Sequence, residues 1–248
     1  MSSGDYSELN RIINESNHIV FFGGAGVSTE SGIPDFRSTD GLYNQHDIQF
    51  EKYTPKYLLS NDCLNYEPKV FFEFYRQKLN VDGIMPNKAH LKLAELEKKG
   101  KLDGIITQNI DGLHQKAGSI NVQEIHGSTL RNYCSRCRKK YPSDYIFNYS
   151  EGLIPKCSIC GGVVRPEVTL YGESLPSKAW DNSVKLIDNS DCLIIGGTSL
   201  VVNPAASLAH AFRGKYLVVI NKQATPADRR ADLVFHESIS QVLENINV

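Results

Sequence analysis

Two Cys-x-x-Cys pairs, Cys134 with Cys137 and Cys157 with Cys160, carry the most specific spacing in the chain, with nineteen residues between them. Each pair presents two sulfurs to one point, and two such turns place four thiolates around one Zn²⁺. Gly161-Gly162 supplies a sharp turn after the second pair. Four cysteine ligands leave no open coordination position, so the expected metal is one structural zinc. A redox dithiol is the weaker reading, because two pairs are present. Arg131, Arg136, Arg138, Lys139 and Lys140 gather beside the first pair. They leave a nucleic-acid-binding ribbon open, but a solvated basic face accounts for them as well.

A second group of residues suits phosphate and ribose chemistry. Ile19-Val20-Phe21-Phe22 reads as a strand buried on both faces. Gly23-Gly24-Ala25-Gly26 follows, then Val27-Ser28-Thr29-Glu30, which can open a helix. Strand, glycine turn and helix start present backbone N–H groups and a helix dipole to a phosphate, and glycine admits a pyrophosphate closely. Gly24 and Gly26 give G-x-G, but Thr29 stands where the dinucleotide fingerprint has its third glycine. Nucleotide binding and a plain structural turn therefore both fit. Asp35, Phe36 and Arg37 follow Gly32-Ile33-Pro34, as a loop that closes over a ligand or as a surface turn with an incidental charge pair.

The elements that must position these groups alternate. Leu9, Ile12 and Ile13 mark an amphipathic helix over 5–16, and Phe71, Phe74, Tyr75 and Leu79 mark another over 67–79. Asn87 can cap a helix over 88–99 that buries Leu91 and Ala94, with Leu93 and Leu96, and stops at Gly100. Strands are expected at 102–107, 122–126, 191–195, 216–220 and 231–235, with helices starting at Leu175-Pro176 and near Pro204. Ile239, Val242, Leu243 and Ile246 stripe a closing helix. Strands alternating with helices indicate a doubly wound parallel sheet, with residues 128–168 as a small insert. Gln108-Asn109-Ile110-Asp111, His126-Gly127, Gly197-Thr198-Ser199 and Asn221 then fall at strand ends, where ligands bind in open α/β folds. Asn109 and Asp111 can equally cap the next helix, and a histidine before glycine is commonly a capping or core residue.

Composition bounds the partners. The 248 residues hold 41% hydrophobic and 22% charged side chains, ordinary for a soluble domain. Twenty-seven basic against 28 acidic residues argue against a broad nucleic-acid-binding face. No stretch approaches the ~18 apolar residues of a membrane span, and the polar N-terminus lacks a signal-peptide core, so a cytoplasmic protein is expected.

GAGVSTESGIPDFR, TQNID, IHG, the paired Cys-x-x-Cys turns, GTSLVVNPAA and INK stand in one order from about Phe21 to the C-terminus. Together they resemble the sirtuin family of NAD-dependent protein-lysine deacylases. The resemblance implies a Rossmann-like large domain (1–40, 86–127 and 169–248), a cofactor loop and helical module (41–85) and a zinc module (128–168). It places Gly24, Ala25, Gly26, Thr29, Asp35, Phe36 and Arg37 against NAD, and puts Gln108, Asn109, Ile110 and Asp111 around nicotinamide and its ribose. Gly197, Thr198, Ser199, Asn221 and Ile239 would hold the adenosine half. Val168, Thr169, Leu170, Tyr171, Gly172 and Glu173, with Val201, would bind the acyl-lysine peptide by β-augmentation. His126 would be the catalytic base and Asn109 and Asp111 its catalytic neighbours.

The implied reaction transfers acetyl from acetyl-lysine to ADP-ribose and releases nicotinamide and O-acetyl-ADP-ribose. The acyl oxygen attacks the ribose C1′, which needs positioning more than strong base catalysis, and an imidazole then deprotonates a ribose hydroxyl. Protein ADP-ribosyl transfer, NAD hydrolysis and non-catalytic NAD sensing are the competing readings. Thr169 departs from the family's β-branched apolar pair, Leu170 precedes the family's aromatic at Tyr171, and Asn203 is unusually polar before Pro204. Tyr75-x-x-Lys78 stands where relatives that remove acidic acyl groups have Tyr-x-x-Arg. Lysine cannot make the bidentate carboxylate contact, so acetyl is expected over succinyl. A monomer acting on acetyl-lysine-containing proteins, without nucleic-acid or membrane binding, completes the expectation.

Overall fold

The computed structural model describes residues 2–3, 5–36, 38, 41–42 and 48–247. Arg37, expected at NAD, lies outside them, as does most of the segment that follows it. β1 (Ser2–Ser3), α1 (Tyr6–Glu15) and β2 (Ile19–Gly23) lead into the first glycine turn. A helical module follows, α2 (Pro55–Leu58), α3 (Asn61–Tyr66) and α4 (Pro68–Lys78). α5 (Lys88–Lys98), β3 (Leu102–Thr107), α6 (Leu113–Lys116) and β4 (Val122–Glu124) return to the main sheet. β5 (Gly127–Cys134), β6 (Lys140–Tyr141), α7 (Asp144–Phe147) and β7 (Val164–Val168) build the cysteine-bearing insert. α8 (Ser177–Asn189), β8 (Cys192–Gly196), α9 (Ala205–Ala211), β9 (Tyr216–Ile220), β10 (Leu233–Phe235) and α10 (Ile239–Glu244) complete the chain.

The main sheet runs β1-β10-β9-β8-β2-β3-β4, and every pairing in it is parallel. β2 lies centrally, with later strands added outward on both sides, so the strand order reverses between β2 and β8. The carboxyl ends of these two strands form the topological switch point where doubly wound sheets bind ligands. Both faces are covered. Leu9, Ile12 and Ile13 of α1, Leu93 and Leu96 of α5 and Val242 and Leu243 of α10 pack on Phe21, Ile105, Ile194 and Val218. Ile187 of α8 and Leu208 of α9 pack on Phe22, Ile106, Ile195 and Val219. β2 and β8 are buried along their whole length, as their unbroken apolar runs require.

The smaller sheet, β6-β5-β7, is antiparallel. The helical module has its own core of Phe71, Phe72, Phe74 and Tyr75, which takes in Ile146 and Val168 from the insert and Leu170 beyond it. The module, the insert and segment 168–171 therefore share buried surface.

Three local expectations change. After Gly24 the chain forms two 3₁₀ turns, Ala25–Val27 and Thr29–Ser31, rather than opening an α-helix. Gly32 in the left-handed region (φ +90°) ends the second turn, and Pro34 cannot continue it. No helix dipole is therefore available there; any anion would meet short-turn amides. Leu91 is 53% exposed, because the Asn87–His90 capping box phases α5 to bury Ala89, His90, Leu93 and Leu96. The strand expected over 122–126 stops at Glu124 as β4, so His126 occupies the turn between β4 and β5.

Candidate active site and metal centre

Two glycine turns meet at the switch point. Gly24 N–H donates to the Gly196 carbonyl (3.3 Å) and Gly26 N–H to the Gly197 carbonyl (2.8 Å). A Cβ on Gly26 would lie 2.8 Å from the Gly197 Cα, and one on Gly24 would lie 2.8 Å from the Thr198 Cβ. The packing of one turn on the other thus already requires these glycines. Gln108 joins the loop after β3 to both turns, its N–H donating to the Gly23 carbonyl (3.0 Å) and its Nε2 to Thr198 Oγ1 (2.9 Å).

Beneath that loop lies a buried polar network. Asn109 Nδ2 donates to Ser28 Oγ (3.0 Å), and Ser28 Oγ donates to Asp111 Oδ2 (2.7 Å). Leu113 N–H donates to Asp111 Oδ1 (2.9 Å). Burial pushes the Asp111 carboxyl up from its ordinary range, against the bonds from Leu113 and Ser28 that favour its charged form. His90 Nε2 lies 3.4 Å from Ser28 Oγ, and the His90 and His114 rings meet edge to face at 4.7 Å.

His126 meets the same loop at Gln108. Its Nδ1 lies 3.0 Å from the Gln108 carbonyl, which can only accept, so Nδ1 carries the proton and Nε2 keeps a free lone pair. Burial holds the imidazole below its ordinary value, opposed by the bond to Gln108. The next residue, Gly127, has φ +76°, and a Cβ there would sit 2.0 Å from the Glu167 carbonyl oxygen. Glycine is needed for β5 to reach its register with β7 and so to seat His126. Thr169 N–H donates to the His126 carbonyl (2.9 Å), linking His126 to the segment expected to bind peptide.

In that segment Glu173 has a structural role. Its carboxylate takes both Arg165 guanidinium nitrogens (2.5 and 2.9 Å), Asn61 Nδ2 (2.7 Å) and the Leu170 amide (2.9 Å). Tyr171 pairs by its own amide and carbonyl with Leu59 and Asn61. Val168 and Leu170 bury their side chains in the helical module's core. Gly172 is exposed, and its backbone has no hydrogen-bond partner among the described residues. Val201 is 56% exposed.

The sulfurs of Cys134, Cys137, Cys157 and Cys160 lie within 4.8 Å of one another. Cys134 and Cys160 approach to 3.5 Å, Cys137 and Cys157 to 3.6 Å. Four sulfurs about 2.3 Å from one zinc stand about 3.8 Å apart, so the cluster fits a tetrahedral ion. The amides of Arg136, Cys137 and Ile159 point at sulfur, as thiolates require. A Cβ on Gly162 would meet Cys134 Sγ at 2.9 Å.

Known proteins resemble this chain in sequence and fold. The Sir2 family profile matches residues 24–204. An NAD-dependent protein deacetylase of Clostridium acetobutylicum is 53% identical over 97% of this chain and 97% of its own length. The chain belongs to the Sir2 family. A second NAD-dependent protein deacetylase, from Staphylococcus epidermidis, is 45% identical over 99% of this chain and 98% of its own. Among solved structures, a Sir2 with a p53 peptide and NAD+ superposes with a TM-score of 0.87 at 36% identity, covering 97% of this chain and 96% of that one. A Sir2 bound to an acetylated peptide gives a TM-score of 0.87 at 35% identity, with the same coverage.

Within this Sir2 chain the residues expected at NAD are placed differently. Gly24, Gly26, Gln108, Gly197 and Thr198 touch one another through the glycine turns, and Asn109, Asp111 and His126 join them through Ser28 and Gln108. Ala25 lies in the first 3₁₀ turn, Thr29 Oγ1 donates to the Gly26 carbonyl (3.0 Å), and Asp35 Oδ1 accepts from Ser38 N–H (2.7 Å). Phe36 and Ile110 lean on the helical module's core. Ser199 is exposed beyond β8, and Asn221, just past β9, is fixed by the Phe235 carbonyl and Gln223. Ile239 stands apart: its side chain is core, beneath Gly196.

Ser28, His90 and His114 carry no signal in the sequence: Ser28 falls among the residues after the first glycine turn, and a histidine on a helix, as at His90 and His114, reads as incidental. Their signal is burial, which sequence does not display. Arg131, placed among the basic residues, is ion-paired with Glu124 (2.7 Å) and Glu167 (2.9 Å), which removes it from any nucleic-acid face. Tyr75 is fully enclosed, stacked on Phe71 and Phe147.

Proposed function

We propose that this protein removes acetyl groups from lysine side chains of other proteins with NAD as co-substrate, releasing nicotinamide and O-acetyl-ADP-ribose. One observation carries the reading: at the switch point of a Sir2 fold, His126 has its Nδ1 proton committed to Gln108 and its Nε2 lone pair available. NAD supplies the glycosidic bond to nicotinamide and the ribose that receives the acetyl group. Burial keeps the imidazole neutral at neutral pH, so Nε2 can accept a ribose hydroxyl proton. Asn109 and Asp111, locked through Ser28, orient ribose and nicotinamide amide. The turns at Gly24–Gly26 and Gly197–Ser199, with Asn221, hold the rest of the dinucleotide. Gly172 and Val201 offer exposed backbone and apolar surface to the peptide, while Arg165–Glu173 holds that edge in shape. Cys134, Cys137, Cys157 and Cys160 hold a zinc whose filled coordination keeps it out of the chemistry.

The same reading divides the chain into a large domain (1–40, 86–127 and 169–248), a helical module (41–85) and a zinc module (128–168), acting as a cytoplasmic monomer. Among the described residues no helix is long and apolar enough to cross a membrane. Lys78 in place of arginine favours acetyl over succinyl.

The test follows nicotinamide and free lysine together from NAD and an acetyl-lysine peptide, with the succinyl peptide alongside. Equal yields, both lost in His126→Ala, are expected, with the acetyl peptide turned over faster. Nicotinamide release without peptide would assign NAD hydrolysis or ADP-ribosyl transfer instead. NAD binding without release would assign a sensor.

A further inference from the structure

The cysteine cluster is not served evenly by its surroundings. Cys134 Sγ receives two backbone amides, from Arg136 (3.4 Å) and Cys137 (3.5 Å). Cys157 Sγ receives the Ile159 amide (3.4 Å) and, in addition, the Tyr141 hydroxyl at 3.1 Å. Among the described residues, no other sulfur of the four has a side-chain O–H or N–H donor.

The Tyr141 hydroxyl is itself the end of a chain. Lys139 Nζ lies 3.0 Å from Ser158 Oγ, and Ser158 Oγ lies 3.2 Å from the Tyr141 oxygen. Ser158 N–H donates to that same oxygen at 2.9 Å. An ammonium can only donate and a thiolate can only accept, which fixes the direction of every link. Lys139 donates to Ser158 Oγ, Ser158 donates its hydroxyl proton to the Tyr141 oxygen, and the phenol proton is left for Cys157 Sγ. Lys139 Nζ also lies 5.1 Å from the Tyr141 ring centroid, where the cation adds to the polarisation.

A zinc ion bound by four thiolates carries a net double negative charge, and here three of the four cysteines are at least partly buried. Donors aimed at sulfur spread that charge, and outer partners of this kind tune how firmly ligands are held. We propose that Lys139, Ser158 and Tyr141 form a directed hydrogen-bond relay onto Cys157 that holds zinc in this module. Lys139, which the sequence places in a solvated basic cluster, thereby acts on the metal through two intermediaries. The proposal rests on the four cysteines binding zinc, which metal content of the purified chain tests separately.

The experiment measures zinc transfer from the full-length, zinc-loaded protein to an excess of a chromogenic chelator. Tyr141→Phe keeps the ring and removes only the hydroxyl; release is expected to quicken about tenfold. Ser158→Ala and Lys139→Gln, both at exposed positions, are expected to quicken it by progressively smaller factors. The relay also requires that Tyr141→Phe with Lys139→Gln release zinc no faster than Tyr141→Phe alone. Wild-type release from Tyr141→Phe would overturn the proposal, as would multiplying effects in the double variant. If Tyr141→Phe fails to fold, Ser158→Ala and Lys139→Gln decide: quickened release supports the relay and unchanged release overturns it.

Discussion

His90 and His114 show how much a single buried imidazole can matter. Burial pushes His90 down to about 4 and His114 to about 3, the latter helped by the neighbouring His90. Both are therefore neutral in the folded protein at every working pH. The unfolded chain restores them to about 6.5. Below that value it binds protons that the folded state refuses, so stability falls as pH falls. Each histidine contributes a slope of about 1.4 kcal/mol per pH unit until pH reaches its folded value. Urea melts at pH 7 and pH 5 are expected to show that loss, and His114→Leu is expected to remove its own share, about 1.4 kcal/mol per pH unit. An unchanged slope in the variant would show that His114 reaches solvent before unfolding. Neither histidine belongs to a motif, and their relation to Asp111 through Ser28 exists only in three dimensions.

At the scale of elements, what matters is how the segment after β7 is held. Arg165 and Glu173 are largely buried, with side chains 10% and 20% exposed, and their pair fixes the turn that presents Gly172. Removing one partner of such a pair leaves an uncompensated charge, at a cost of about 3–5 kcal/mol. Glu173→Gln is expected to lower unfolding stability by about that much, and Arg165→Met with Glu173→Gln to recover part of it. Chemical denaturation of the three proteins checks this. Gly127 sets the other side of the segment. Any larger residue would strike Glu167 and move β5 off β7, taking His126 with it. Sequence periodicity located α1, α10, β3 and β9 closely, because each presents a continuous apolar face. It misjudged the turn after Gly24, where Gly32 and Pro34 outweigh local helix preference. It also missed β1, whose two serines carry no strand pattern and pair only because β10 is there.

The whole molecule joins a parallel sheet that stands on two apolar layers to an insert built around four clustered cysteines. Stripping zinc is expected to abolish deacetylation while leaving most helical circular dichroism, because the sheet's helices do not rely on the insert. Restoring zinc should return activity; loss of all helical signal on chelation would mean that the sheet cannot stand alone. The sequence by itself determined the doubly wound class, the pairing of the four clustered cysteines and the order of the loop motifs, since apolar periodicity and short spacings are local properties. It could also point to His126, once the motifs were taken together. Only the tertiary structure decided that the two glycine turns pack on each other and that Glu173 is consumed by Arg165. It likewise decided that Ile239 is core, that Ser28 bridges His90 and Asp111, and that Tyr141 donates to Cys157. Those roles depend on which residues meet across long stretches of chain, and contact at that range is set by how the sheet and its inserts pack.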